Sequence, residues 1–472
     1  MRGSSRVAGV VVTLTMIATT LVCAVPATAE THAPAKWDPR VTKYARFVER
    51  TRKLQFDHPV PVKFLGDAAF VKAYQGDNPK ITKKDRAEAE RYAGQLRALG
   101  LVEGPVDLIQ SERDLGATDV VGFYDQEKEA LFVRGKDLAD TDTRVTLVHE
   151  LTHALQDQRF DLDKLDRRAE TSGEDFAITA LVEGDAVAVE DAYVGSLPRA
   201  EQEAYDASPT DETPEPDAPP TGDIPPVLEL FESLPYVYGP QYIDTLKARG
   251  GLSHVDHAFV DPPRSEEAIV DPVAATRGTK PATVAAPKLA KHEKRDGSPD
   301  DFGALSLYFV LASRLDPETA LRAAEGWGGD RYVAFTQGHD QQECVRATFR
   351  GGTRVDGDEI ADALDEWAAK LPAGAAHVER HGRLPTVTAC DTKGTTAPTE
   401  DTLDTAVNAL ANRNELVLEF LHQRTPIVVA RCVSDRLVAD PEITPLLSKD
   451  TLSEAEQTLV GDRVTRYMGD CR

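Results

Sequence analysis

Apolar positions recur at helical spacing over most of this chain and at strand spacing only in short patches. Residues 38–56 and 81–99 read as helices, with a short strand at 60–65 between them. Residues 119–124 and 130–134 alternate as strands, and the charged turn 125–129 joins them as a hairpin. Helices follow at about 142–158 and 173–193. Further on, the aromatic stretch 234–239 leads into a helix, and 301–314 is a helix rich in large apolar residues. Asp316 and Pro317 supply an N-cap and a first-turn proline for another helix, which Gly326 stops near Glu325. Strands near 331–336 and 344–350 pair across 338–342. The tail alternates helices (357–370, 400–422, 452–468) with strands holding Cys390 and Cys432.

Three stretches break the periodicity. Residues 206–226 are acidic and proline-rich with almost no large apolar side chain, the composition of a linker or exposed loop. Residues 273–297 form an Ala- and Lys-rich loop. At the start, Arg2 and Arg6 precede an apolar run from 7 to 25, and Ala27-Thr28-Ala29 lies before Glu30, as in a cleavable secretory signal peptide. No other uninterrupted apolar run is long enough to span a bilayer. The pattern therefore divides the chain into an expected signal peptide at 1–29, an N-terminal region at 30–205, a linker at 206–226, a mainly helical region at 227–375 and a C-terminal α+β region at 376–472 that holds cysteines. The expected fold class is α+β, with a small sheet over one helix.

Composition sharpens this. With 54 Lys and Arg against 79 Asp and Glu, the net charge is −25, and loss of Arg2 and Arg6 makes it more negative. This acidic balance argues against a binder of nucleic acid or anionic lipid, which are gripped by clustered Lys and Arg. Of the five cysteines, Cys23 falls in the expected signal, leaving Cys344, Cys390, Cys432 and Cys471. Four cysteines in an exported chain suggest two disulfides. Neighbours in sequence favour Cys344–Cys390 with Cys432–Cys471, although three pairings are open. Their wide spacing does not suit a zinc–thiolate site.

Candidate chemistry lies in residues 146–153, Thr-Leu-Val-His-Glu-Leu-Thr-His. On a helix, His149 and His153 share a face one turn apart and can chelate one Zn²⁺. Glu150 sits about 100° around from His149, beside the metal, where it can act as a general base. Leu147, Val148, Leu151, Ala154 and Leu155 gather on the opposite arc, so one face meets a core and the other a cleft. For a third ligand, Glu183 on the next helix has Phe176, Thr179, Ala180 and Val187 on its face, with Glu174, Asp175 and Glu190 as rivals. Small Gly184 and Ala186 would let that helix approach the first closely. Asp185 is a candidate for orienting a ligand histidine. Tyr238 and Arg264 are candidate oxyanion donors, with Tyr236, Tyr193 and His257 behind them. His254 and His257, three apart, lack an obvious third ligand.

His149-Glu150-Leu151-Thr152-His153 followed by Glu183-Gly184-Asp185-Ala186 and Glu190 resembles the gluzincin zinc metallopeptidases, whose aminopeptidase branch carries a similar Glu-Gly-x-Ala-x-x-x-Glu pattern. The stretch between His153 and Glu183 is longer than in many gluzincins. A closer resemblance, over roughly residues 115–370, is to a little-characterised family of secreted bacterial neutral zinc metallopeptidases. It rests on residues 149–158 and 183–186, Tyr238-Gly239, residues 261–266 (DPPRSE) and 326–332 (GWGGDRY). The resemblance implies a peptide or protein substrate, Zn²⁺ held by His149, His153 and Glu183, and residues 130–134 as a substrate-binding edge strand. The alternatives are an exported, non-catalytic binding protein on the same scaffold, or a zinc-dependent hydrolase of a non-peptide amide.

Overall fold

The computed structural model describes residues 33–472 except 76–80, 119, 208–223, 272–273, 275–279, 393, 448 and 450. The expected signal peptide and most of the expected 206–226 linker lie outside the described residues. The fold is mixed α+β with two small sheets, as the periodicity predicts. No helix among the described residues is long and apolar enough to cross a membrane.

The first half comprises α1 (Thr42–Arg52), β1 (Val62–Leu65), α2 (Asp67–Gln75), α3 (Lys83–Ala98), α4 (Leu108–Thr118), β2 (Gly122–Asp125), β3 (Ala130–Arg134), α5 (Thr141–Phe160), α6 (Leu162–Asp166), α7 (Ser172–Val194) and α8 (Arg199–Ala207). Its sheet has the order β1-β3-β2, with β1 parallel and β2 antiparallel to β3. Alternation sets its two faces. Leu131 and Val133 pack with α1, α5 and α7, whereas Ala130 and Phe132 pack with Phe70 of α2. The strand at 130–134, expected at an edge, is therefore the central one. The edge beside α5 is β2, because Val62 to Leu65 occupies the other side of β3.

The second half comprises α9 (Pro226–Gly250), α10 (Leu252–Val260), α11 (Glu267–Val270), β4 (Lys294–Asp300), α12 (Ala304–Ala312), α13 (Pro317–Glu325), β5 (Trp327–Gln337), β6 (Gln342–Gly351), α14 (Arg354–Ala369), β7 (Ala376–His381), β8 (Leu384–Cys390), α15 (Glu400–His422), α16 (Ile427–Ala439), α17 (Thr444–Leu447) and α18 (Glu454–Asp470). Its antiparallel sheet runs β4-β5-β6-β8-β7. The boundary expected at 375/376 falls inside this sheet, since β8 pairs with β6 and Cys344 bonds to Cys390 across that pair. A continuous apolar core from Ala93 to Val438 joins these layers to α7 and α9.

Two local readings are corrected. Cys432 lies in a helix, because Ala430, Val433 and Leu437 recur at helical spacing and are buried. The β-branched run before Ala430 hides this. Strand β4 begins inside the stretch read as an Ala- and Lys-rich loop and runs past its end; its residues are polar and mostly exposed, so it carries no apolar alternation. The second disulfide, Cys432–Cys471, ties α16 to the end of α18.

Candidate metal centre

Helix α5 begins at Asp140, whose side chain accepts from Thr143 N–H, and carries His149, Glu150 and His153 under the small sheet. Helix α7 begins at Thr171, capped in the same way, and carries Glu183 alongside. The apolar arc of α5 enters the core as expected, with Leu147, Val148, Leu151, Ala154 and Leu155 nearly inaccessible.

Three ligand atoms converge. His149 Nε2 and His153 Nε2 are 3.0 Å apart, and Glu183 Oε2 lies 3.2 Å from the first and 3.3 Å from the second. A zinc-sized ion about 2.0–2.1 Å from three tetrahedral ligands sets them roughly 3.3 Å apart, so this donor set fits a metal. Among the described residues it is the one His/Cys/Asp/Glu group of that kind. His254 and His257 on α10 do not form another.

The neighbours of the two rings strengthen that fit. His149 Nδ1 is 2.9 Å from Glu190 Oε2, and His153 Nδ1 is 3.0 Å from Gln156 Oε1. Both partners are acceptors there, so each Nδ1 carries the proton and donates it. In the neutral ring this leaves Nε2 bare and aimed at the shared point. The field also favours positive charge. Burial works against the His149 imidazolium, but hydrogen bonds to Glu183 and Glu190 outweigh it and push its pKa up to about 10. For His153 burial is likewise outweighed, chiefly by Glu183, and its pKa rises. Burial alone would raise Glu183, but the two imidazoles hold it well below the usual carboxylate range. A pocket that holds protons this way also attracts a cation.

Glu150 is buried beside the cluster, and its Oε2 accepts the Tyr124 N–H of β2 at 2.7 Å. Burial raises its pKa, against the pull of His153 and His149. Because Arg134 N–H donates to Val121 O, the peptide groups of Gly122 and Tyr124 face away from β3, toward the open edge. A Cβ on Gly122 would stand 3.2 Å from Thr146 and 3.8 Å from Glu150, so this edge lies against the face of α5 that carries Glu150.

The structure does not bring Tyr238 or Arg264 to the cluster. Tyr238 is fully buried and donates its hydroxyl to Val407 O of α15. Arg264 faces Glu174 at 3.7 Å and Asp261 at 4.0 Å. Glu174 is nine residues before Glu183 on α7, about 13 Å along the helix. Tyr193 packs edge-on to Tyr44 and Phe47. The tyrosine at the cluster is Tyr236, with its ring centre 6.3 Å from that of His149. Its hydroxyl is buried without a hydrogen-bond partner among the described residues. Burial, then the charges of Glu183 and Glu150, push its pKa well above the ordinary value.

The other motif residues have structural partners. Gly184 meets α9, not α5: a Cβ there would lie 2.2 Å from the Gly239 carbonyl carbon, and one on Gly239 would lie 2.3 Å from Ala180 O. The Glu-Gly-Asp-Ala and Tyr-Gly elements are thus two sides of one helix crossing. Glu266 of the 261–266 motif accepts the Leu305 N–H at 2.8 Å. Asp330 of the 326–332 motif accepts from Phe302 and Gly303 N–H and from the Trp327 indole. Both hold the start of α12.

Comparison with protein families matches residues 292–414 to a domain of unknown function, DUF8575. That span covers the five-stranded sheet and the start of α15, and contains none of the cluster residues. No curated protein and no solved structure matches the chain.

Proposed function

We propose that this chain is an exported zinc-dependent metallopeptidase. The observation that carries the reading is the convergence of His149 Nε2, His153 Nε2 and Glu183 Oε2 within 3.0–3.3 Å, with both imidazoles oriented by Nδ1 hydrogen bonds. His149, His153 and Glu183 would hold the ion. When bound, zinc supplies a Lewis acid that acidifies water and polarises a carbonyl.

The remaining steps belong to the protein. Glu150 accepts the proton of the attacking water and then delivers it to the leaving amine. Its raised pKa suits both halves of that task. The outward-facing N–H and C=O of Gly122 and the C=O of Tyr124, whose N–H is held by Glu150, can pair with an extended substrate, a sequence-tolerant mode of binding. The unpartnered Tyr236 hydroxyl beside His149 supports Tyr236 in place of Tyr238 as the donor to charge developing on the carbonyl oxygen. Export accords with the two disulfides, which persist outside the reducing cytoplasm.

The test is Glu150→Gln assayed on an unfolded protein substrate. The reading expects bound zinc to stay near wild-type content while hydrolysis falls by about three orders of magnitude, combining lost base and acid roles. Full hydrolysis by the variant would refute the assignment. Zinc binding by the wild type with no cleavage of any unfolded protein would favour a non-catalytic binding role.

A further inference from the structure

Helix α1 ends nearly a hundred positions before the first of the two histidines, yet its last residue reaches into their surroundings. Arg52 is 2% exposed. Its Nε donates to Asp185 Oδ2 at 2.8 Å, and its Nη2 donates to Asp256 Oδ1 of α10 at 2.8 Å. Asp185 Oδ2 also accepts from Gln156 Nε2 at 3.0 Å, and the same Nε2 donates to Val182 O at 3.0 Å. The other end of that amide, Gln156 Oε1, is the atom 3.0 Å from His153 Nδ1. Four helices therefore contribute to one chain of contacts that ends on a ligand ring.

The polarity of this chain is what matters. A glutamine amide can sit either way round, and the two ends differ in kind: one only donates, the other only accepts. A carboxylate paired with arginine is an acceptor, and so is the Val182 carbonyl. Both therefore call for the NH₂ end of Gln156. The oxygen end is left for His153, where it takes the Nδ1 proton and leaves Nε2 bare. Without the Arg52–Asp185 pair the amide loses one of the two acceptors that fix its sense. A reversed amide would face NH₂ to Nδ1, which favours protonation of Nε2 and removes it as a ligand. His149 does not share this dependence, because Glu190 has no donor end to offer.

We infer that Arg52 is a positioning residue for the metal site: through Asp185 and Gln156 it sets the tautomer and orientation of His153. This inference rests on the metal-site reading above. Simple mechanical knitting of α1 to α7 by the same ion pair would predict effects on stability alone.

Two variants separate these. Gln156→Leu keeps the Arg52–Asp185 pair and cuts the link to His153. Arg52→Met with Asp185→Leu replaces a buried ion pair by apolar side chains, an exchange that proteins often tolerate without loss of stability. Zinc affinity by chelator competition and the visible spectrum of the Co²⁺-loaded protein are read alongside thermal unfolding of the metal-free chain. Positioning predicts about 10–100-fold weaker zinc binding for both variants, with a changed Co²⁺ ligand-field spectrum, whatever the unfolding temperature. Wild-type affinity and spectrum in either variant would overturn the inference while leaving the metal site standing. If the wild type binds no zinc, and His149→Ala changes nothing, the metal-site reading falls and this inference with it.

Discussion

Replacing Gly184 with alanine tests how the site is assembled. Inside a helix the exchange ordinarily stabilises by roughly 0.5–1 kcal/mol, because glycine loses more backbone entropy on folding. At this position the added methyl would stand 2.2 Å from the carbonyl carbon of Gly239, 2.4 Å from its oxygen and 2.6 Å from its Cα. Ordinary contact begins near 3.4 Å, so α7 and α9 must separate by about 1.2 Å. All three obstacles are backbone, so no side chain can swing aside. Overpacking of this kind costs about 1–3 kcal/mol and more where backbone must move, which gives a net loss of about 2 kcal/mol or more. The same displacement carries Tyr236, three residues before Gly239, away from Glu183. Gly461 is the internal control: it lies in α18 with nothing within 4 Å of its added Cβ. Urea unfolding of both variants at equal m-value should therefore move in opposite directions, with Gly461→Ala more stable by roughly 0.5–1 kcal/mol. A Gly184→Ala protein as stable as the wild type, beside the expected gain at Gly461, would refute the close crossing.

Other consequences are as direct. Tyr236→Phe should leave unfolding unchanged and lower kcat by about 10²-fold or more, whereas Tyr238→Phe should lose about 1 kcal/mol of stability through Val407 O and keep its kcat. Burial pushes the Glu266 carboxyl from an ordinary 4.5 up to about 8. The folded state then keeps a proton that the unfolded chain releases, so stability falls as pH rises from about 4.5 to about 8; Glu266→Gln should flatten that slope, as denaturation midpoints across this range would show. Cys432→Ser with Cys471→Ser should cost about 2–4 kcal/mol in unfolding of the C-terminal helices, while zinc affinity stays at the wild-type value.

Much of the site was legible because helical geometry is local. His149, Glu150 and His153 lie within five residues, and their apolar counterparts on α5 fix which face is buried. Glu183 was legible from its framing on one helix, and the two disulfides are the sequence-neighbour pairing favoured among the three that were open. Glu190 stood among the rival ligands; its seven-residue spacing from Glu183 returns it to the same helix face, where it holds His149 instead of a metal. Gln156 lay within the quoted motif, three residues after His153, without its role being visible. Arg52 offered no signal at all, since its contact with Asp185 spans 133 positions. The choice between Tyr236 and Tyr238, two positions apart on α9, could not be read from the sequence, because α15 supplies the carbonyl that claims Tyr238. The order β1-β3-β2 failed for the same reason: a parallel partner brought from residues 62–65 turns an expected edge strand into a central one.

The most direct test of the account is metal content. Protein equilibrated with zinc, freed of loose ions by gel filtration and measured by plasma mass spectrometry, should carry one zinc ion per chain. His149→Ala and Glu183→Ala, confirmed as folded by circular dichroism, should lose it. A wild-type chain that retains no zinc under these conditions, or one whose zinc survives both substitutions, would contradict the claim that these three residues form a metal site.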